Sequence, residues 1–212
     1  MEELYTTWKA IGTSGGDLSF FQDFFVKFYQ AFIESDRWLQ YLNGVKTTLL
    51  VTALALILGI VLGVLVAMLR TAHDQQRPGH RNPILAVLNL ICKVYVTVIR
   101  GTPMMVQLLI MGFVIFASSR NFTMIGTLTL GINSGAYVSE IVRGGLMSVD
   151  KGQMEAGRSL GLNYMTTMRF IVIPQAIKAI LPALGNEFII LLKDTSLITV
   201  IGGKELLYAA QG

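Results

Sequence analysis

Between Thr47 and Leu69 the chain runs for 23 residues, TTLLVTALALILGIVLGVLVAML, without a charge or a proline. At about 1.5 Å of rise per residue, such a helix crosses a hydrocarbon core of about 30 Å with length left for tilt. A buried helix of a large soluble protein is the competing explanation, and composition argues against it. Only 14% of the residues are charged, where soluble domains carry about 25%. The sequence therefore predicts an all-α integral membrane protein, with a first span over roughly Val45 to Leu69.

Charge and cysteine usage exclude several classes. The net charge is +4, but the basic residues are scattered singly, with no aromatic-interleaved stripe of the kind nucleic acid requires. Cys92 is the single cysteine, so neither an internal disulfide nor a CxxC site is expected. His73 and His80 stand in a basic loop without a neighbouring carboxylate or cysteine ligand, and no metal site is expected there. There is no GxxxxGK[ST] loop to grip ATP phosphates; GTSGGD near the start lacks the lysine and reads as a flexible loop. Neither HExxH nor a Ser/His pairing is present, which argues against an intramembrane enzyme.

Along the chain, residues 1–40 form an amphipathic, aromatic-rich segment (DLSFFQDFFVKFYQAFIESDRW) with no run long enough to span. It is expected to lie in the interface and, by the topology below, outside. Its Glu2 and Glu3 do not resemble the basic start of a signal peptide. After the first span, RTAHDQQRPGHRNP carries Arg70, Arg77 and Arg81, with Pro78-Gly79 as a turn, and basic loops favour the cytoplasmic side. The next stretch is divided by Lys93, Arg100 and Gly101-Thr102-Pro103. It forms either an amphipathic approach helix to about Arg100 followed by a span from Pro103 to Ala117, or one long helix kinked at Pro103. A third span is expected over Thr123 to Met147 and a fourth over Ile177 to Ile201, the latter broken or pore-lining because of Pro182, Gly185, Asn186, Glu187 and Lys193-Asp194. Met104, Met105 and Met111 either pack against neighbouring helices or line a gate.

Two crossings after the basic loop return the chain to the cytoplasm at SVDKGQMEAGRSLGLN, beside Arg143, Lys151, Arg158 and Arg169. Asp150 is placed to cap a helix with Gln153 three residues on, as in a capping box. Gly161 fits the C′ position, and Asn163 caps a second helix that runs to Ile173 before Pro174. The result is a helix–glycine–helix elbow exposing Met154, Glu155, Arg158 and Leu160, suited either to seating in a partner's groove or to being an ordinary solvated loop.

The spacing E-A-x(4)-G-x(9)-I-x-x-P, filled by Glu155, Ala156, Gly161, Ile171 and Pro174, resembles the EAA loop of ABC importer permeases. RGTP, GINSGAYVSEIVRGG, QAIKAILPALGNEFIILLKDTSL and ELLYAAQ are similar to the branch that takes up polar amino acids (His/Glu/Gln/Arg/opine). The resemblance runs from Trp38 to Gln211; Gly157 and Ile173 stand where alanine and leucine are usual. It implies the type I importer transmembrane fold over residues 41–212, with the coupling loop at about 148–174. It also implies a bacterial inner-membrane location, two ATP-binding subunits, an external substrate-binding protein, and pairing with a second copy or a sister permease. ATP with its magnesium would sit on the partners, with no cofactor on this chain. Family chains continue through a fifth span, so four of five spans are expected within the sequence up to Gly212.

On that resemblance the coupling residues are Gly152, Glu155, Ala156, Gly157, Arg158, Gly161 and Pro174. A zwitterionic substrate needs polar partners at mid-depth, and the candidates are Asn133, Ser134, Tyr137, Glu140, Asn186 and Glu187. For Asn133 and Ser134 the structural alternative is contact between helices. For Glu140 it is a local pair with Arg143 at i,i+3, and Lys193-Asp194 reads as an ion pair at the outer mouth. A secondary transporter driven by an ion gradient is the competing functional class. It would be expected to show repeat symmetry and paired broken helices, and the sequence displays neither.

Overall fold

The computed structural model describes residues 1–76 and 82–211. Arg77, the Pro78-Gly79 turn, His80 and Arg81 lie outside the described residues. In chain order the helices are α1 (Glu2–Thr13), α2 (Phe20–Phe32), α3 (Arg37–Asp74), α4 (Pro83–Gly101), α5 (Met104–Ile110, prolonged by one π turn to Ile115), α6 (Phe122–Met147), α7 (Lys151–Ser159), α8 (Tyr164–Thr167), α9 (Ile173–Asp194) and α10 (Leu206–Gln211). No strand occurs among the described residues.

Among the described residues, three helical stretches are long and apolar enough to cross a membrane: Glu34–Asp74, Pro83–Gly101 and Tyr164–Ile201. The uncharged run lies wholly within α3, which begins at Arg37, before the expected Val45. α4 is more than an amphipathic approach, since its own length and composition suffice for a crossing. The chain then leaves helical geometry at Thr102 and Pro103 before α5 begins. The stretch is divided into two helices, because proline forces its predecessor out of the α region, but the second, Met104–Ile115, is a short apolar helix and not the expected span from Pro103 to Ala117.

α6 has the length of a span yet is rich in glycine and hydroxyl residues, and it is the most enclosed helix. It packs along α3 through small residues on both sides. A β-carbon on Gly59 would lie 2.6 Å from Ser134 Oγ, and one on Gly63 would lie 2.6 Å from Val138 Cβ. Thr52, Ala55 and Ala67 continue the α3 side of the seam, all fully buried. Small side chains let two helices approach closely where lipid offers no hydrophobic driving force. An apolar core that shares Ala55 with the seam gathers Val51, Leu108, Ile125, Leu130, Leu191, Ile198 and Ile201 between α3, α5, α6, α9 and the 3₁₀ helix Thr195–Ile201. Met104 and Met111 pack against it, which favours their structural reading.

Two expectations about helix breaks are corrected. Pro174 does not end a helix: α8 passes through a π turn at Met168–Val172 directly into α9. Such a wide turn accommodates the missing N–H and the ring of the following proline. Pro182 likewise sits inside α9 without interrupting it. The tightening comes later, where Thr195–Ile201 winds as a 3₁₀ helix.

Candidate functional site

A cavity of about 400 Å³ opens where the α4–α5 break meets α6 and α9. It is lined by Arg100, Gly101, Thr102, Pro103 and Met104 from the break, Asn133 and Tyr137 from α6, and Glu187, Ile190, Leu191 and Asp194 from α9. The spacing explains the convergence. Asn133 and Tyr137 are one turn apart on α6, and Glu187, Ile190, Leu191 and Asp194 share one face of α9. The break itself is stitched by Gln107. Its Nε2 donates to Ile99 O (2.7 Å), Thr102 O (3.1 Å) and Thr102 Oγ1 (2.8 Å). These bonds satisfy carbonyls that the end of α4 leaves open. Gln107 Oε1 in turn accepts from Asn133 Nδ2 at 3.1 Å, fixing the amide of Asn133 at the cavity wall. Arg100 stacks its guanidinium 5.2 Å from the centre of the Tyr137 ring. The cavity thus holds one cation, two carboxylates and an amide within apolar walls.

Three of the six residues expected along a substrate pathway meet here: Asn133, Tyr137 and Glu187. Ser134 is fully buried at the seam with Gly59, with its hydroxyl beside Glu187, and Asn186 is exposed on another face of α9. Glu140 does not pair with Arg143. It accepts from Arg70 of α3, while Arg143 donates to Asp74 Oδ2 at 2.8 Å. Lys193 and Asp194 form no ion pair either, and Asp194 turns to the cavity. Arg100 and Asp194 also line the cavity, although neither stands among the sequence candidates for it. A charge beside a proline break at membrane depth was the signal available for Arg100.

The elbow lies at the far end of α6. Asp150 caps α7 by accepting from Gly152 N at 2.6 Å. Gln153 does not complete a capping box, since its Oε1 accepts from Gln175 Nε2 (3.2 Å). Gly161 has φ +80°. Gly161 N donates to Arg158 O and Leu162 N to Gly157 O, both at 3.0 Å, which together form a Schellman closure. Asn163 Oδ1 accepts from Thr166 N at 2.9 Å and starts α8. Gly157 is the buried contact between the limbs: a β-carbon there would lie 2.6 Å from Thr167 Cγ2. Glu155, Ala156, Arg158 and Leu160 are exposed, and the side chains of Glu155 and Arg158 make no bond to any described residue. The elbow is tied to α3 through Tyr164, whose hydroxyl donates to Gln75 Oε1 at 2.6 Å.

Residues 84–211 match the family described as binding-protein-dependent transport system inner membrane component. The chain belongs to that family. It is a membrane permease subunit of an ATP-driven importer, with the hydrolysis carried out by partner subunits. This permease is 37% identical over 173 residues to the putative glutamine transport system permease protein of Rickettsia prowazekii (strain Madrid E), covering 80% of the present chain and 74% of the relative. It is 43% identical over 127 residues to the glutamine transport system permease protein of Escherichia coli (strain K12), covering 57% of each. Among solved structures, an amino acid ABC transporter crystallised with histidines matches at 41% identity and TM-score 0.68, over 79% of this chain and 74% of that one. An inward-facing methionine ABC transporter matches in fold at 22% identity and TM-score 0.66, over 84% and 82%. The expected type I importer fold is the fold of these neighbours.

Proposed function

We propose that the permease carries a polar amino acid, delivered by an external binding protein, through the cavity at the α4–α5 break. The observation that carries this reading is the charge arrangement there. Arg100 is suited to a carboxylate, Glu187 and Asp194 to an ammonium group, and Asn133 to a polar side chain, in a volume typical of small-molecule sites. The glutamine permease relatives and the histidine-bound neighbour support the same substrate class.

In this reading the N-terminus is outside and the elbow cytoplasmic. Two ATP-binding subunits, which hold ATP and its magnesium, grip the elbows of a dimer made with a second copy or a sister permease. No cofactor is bound by this chain. Exposed Glu155, Ala156, Arg158 and Leu160 form the gripped face, Gly152 and Gly161 bound the helix, and Gly157 and Pro174 pass its motion to α9. Closure of the ATPases then tilts α6 and α9 and alternates access to the cavity between them.

The test is uptake of labelled amino acids into vesicles holding the permease with its ATP-binding and external binding subunits. Uptake should require ATP and the binding protein, and should survive collapse of sodium and proton gradients. Import that consumes an ion gradient and ignores ATP would overturn the reading.

A further inference from the structure

The N-terminal hairpin presents a surface that the transport cycle does not use. α2 has two aromatic faces. One is packed on α1, with Tyr29 stacked on Tyr5 (ring centres 4.2 Å apart) and Phe25 edge-on to Trp8 (5.3 Å). The other is open: Phe20, Phe21, Phe24, Phe28 and Phe32 are 78, 79, 61, 46 and 44% exposed. At about 100° per residue these five rings occupy an arc of roughly 120°, with only Ala31 among them. The Asp23–Lys27 pair (2.8 Å) borders the arc on one side, and Lys27 is long enough to bring its charge to water.

The hairpin is held in place at the start of α3. Ser35 and Asp36 both take left-handed conformations (φ 58° and 53°) and turn the chain between α2 and α3. Tyr41 donates to Ala31 O at 2.7 Å, Phe32 packs edge-on to Tyr41, and Lys9 of α1 donates to Glu34 at 2.6 Å. The open arc is therefore fixed next to the exposed apolar residues that begin the long span, Trp38, Leu42, Val45 and Leu49.

We propose that the phenylalanine arc of α2 is a membrane-inserted face, docked in the lipid interface of the leaflet at the N-terminal end of α3, with α1 packed on the other face of α2. Two observations select lipid over a protein partner. The arc offers no hydrogen-bonding group, where protein contact sites are enriched in Tyr, Trp and Arg, and it continues directly into the lipid-facing surface of α3. Five adjacent exposed phenylalanines in water would form an apolar patch of the kind soluble surfaces avoid. The proposal rests on the membrane reading of α3.

The experiment uses the full chain in nanodiscs, with Trp8→Phe and Trp38→Phe removing both native tryptophans. Single tryptophans are then introduced by Phe24→Trp in the arc, Leu54→Trp in the span and Glu3→Trp on α1. With lipid brominated near the headgroup end of the acyl chain, Phe24→Trp should lose at least half its fluorescence and Glu3→Trp should keep its own. With bromine deep in the chain, Leu54→Trp should be the more strongly quenched of the two. An unquenched Phe24→Trp beside a quenched Leu54→Trp overturns the proposal and leaves the span intact. Absence of quenching at both positions overturns the membrane reading as well. A Phe24→Trp signal that ignores brominated lipid but shifts on adding the external binding protein would assign the arc to protein contact and also overturn it.

Discussion

Turned toward α3, α6 presents Gly131, Ser134, Gly135 and Val138; turned toward α9 and the helix break, it presents Asn133 and Tyr137. The first face is closely approached and without room for a β-carbon at Gly59 or Gly63. The second borders open volume and carries bonds that hold side chains in place without filling the space. One helix therefore separates a seam built for close contact from a wall built for a ligand. Polar residues at membrane depth do not share one purpose: Ser134 serves the seam and Asn133 the wall, although they are adjacent in sequence.

The largest expected effect comes from the seam. Gly63→Leu forces Val138 and the α6 backbone away, and overpacking of this kind costs about 1–3 kcal/mol or more. Loss of folded yield and a lower melting temperature in detergent are expected. A variant that melts like the wild type would show that the seam is looser than described. The cavity should behave in the opposite way. Glu187→Gln and Arg100→Ala are expected to lower amino-acid uptake by tenfold or more while the melting temperature stays within a few degrees. Equal losses of stability and uptake would erase the distinction between the faces.

Smaller effects sharpen the picture at the elbow. Gly157→Ala places a methyl group against Thr167 and should weaken the contact between the two limbs. Part of the loss is expected to be recovered by Thr167→Ser, which removes the facing methyl but keeps the hydroxyl 2.9 Å from the added carbon, and melting curves of the single and double variants check this. Tyr164→Phe removes one exposed hydrogen bond to Gln75, worth at most about 0.5–1.5 kcal/mol. It should shift melting only slightly, with any effect on uptake exceeding that on stability if the tie carries motion to α3.

Much of this architecture is legible in the sequence where the signal is local. The uncharged run marks α3, Gly161 marks a helix end that needs a positive φ, and Asn163 marks the next start. What the sequence hides is partnership over distance. Glu140 looks paired with Arg143 because the i,i+3 neighbour is visible, whereas its partner Arg70 lies 70 residues away. Pro174 looks like a terminator because the π turn that absorbs it has no sequence signature. Glu205 is a further case. It is buried at 3% exposure and accepts from Thr199 Oγ1 (2.6 Å), Tyr208 N (3.0 Å) and Thr48 Oγ1 (3.4 Å). Nothing local in KELLYAAQ announces a carboxylate that fastens α10 to α3.

The central claim is that the elbow converts ATP hydrolysis into opening of the cavity. Gly161→Val puts a β-branched side chain at φ +80°, which disfavours the Schellman closure, while leaving the membrane helices untouched. The direct measurement is amino-acid uptake and ATP hydrolysis recorded together in vesicles holding the assembled importer with this substitution. The account predicts that the permease inserts normally and hydrolysis persists while uptake per ATP falls at least tenfold. Uptake and hydrolysis both at the wild-type rate would contradict it.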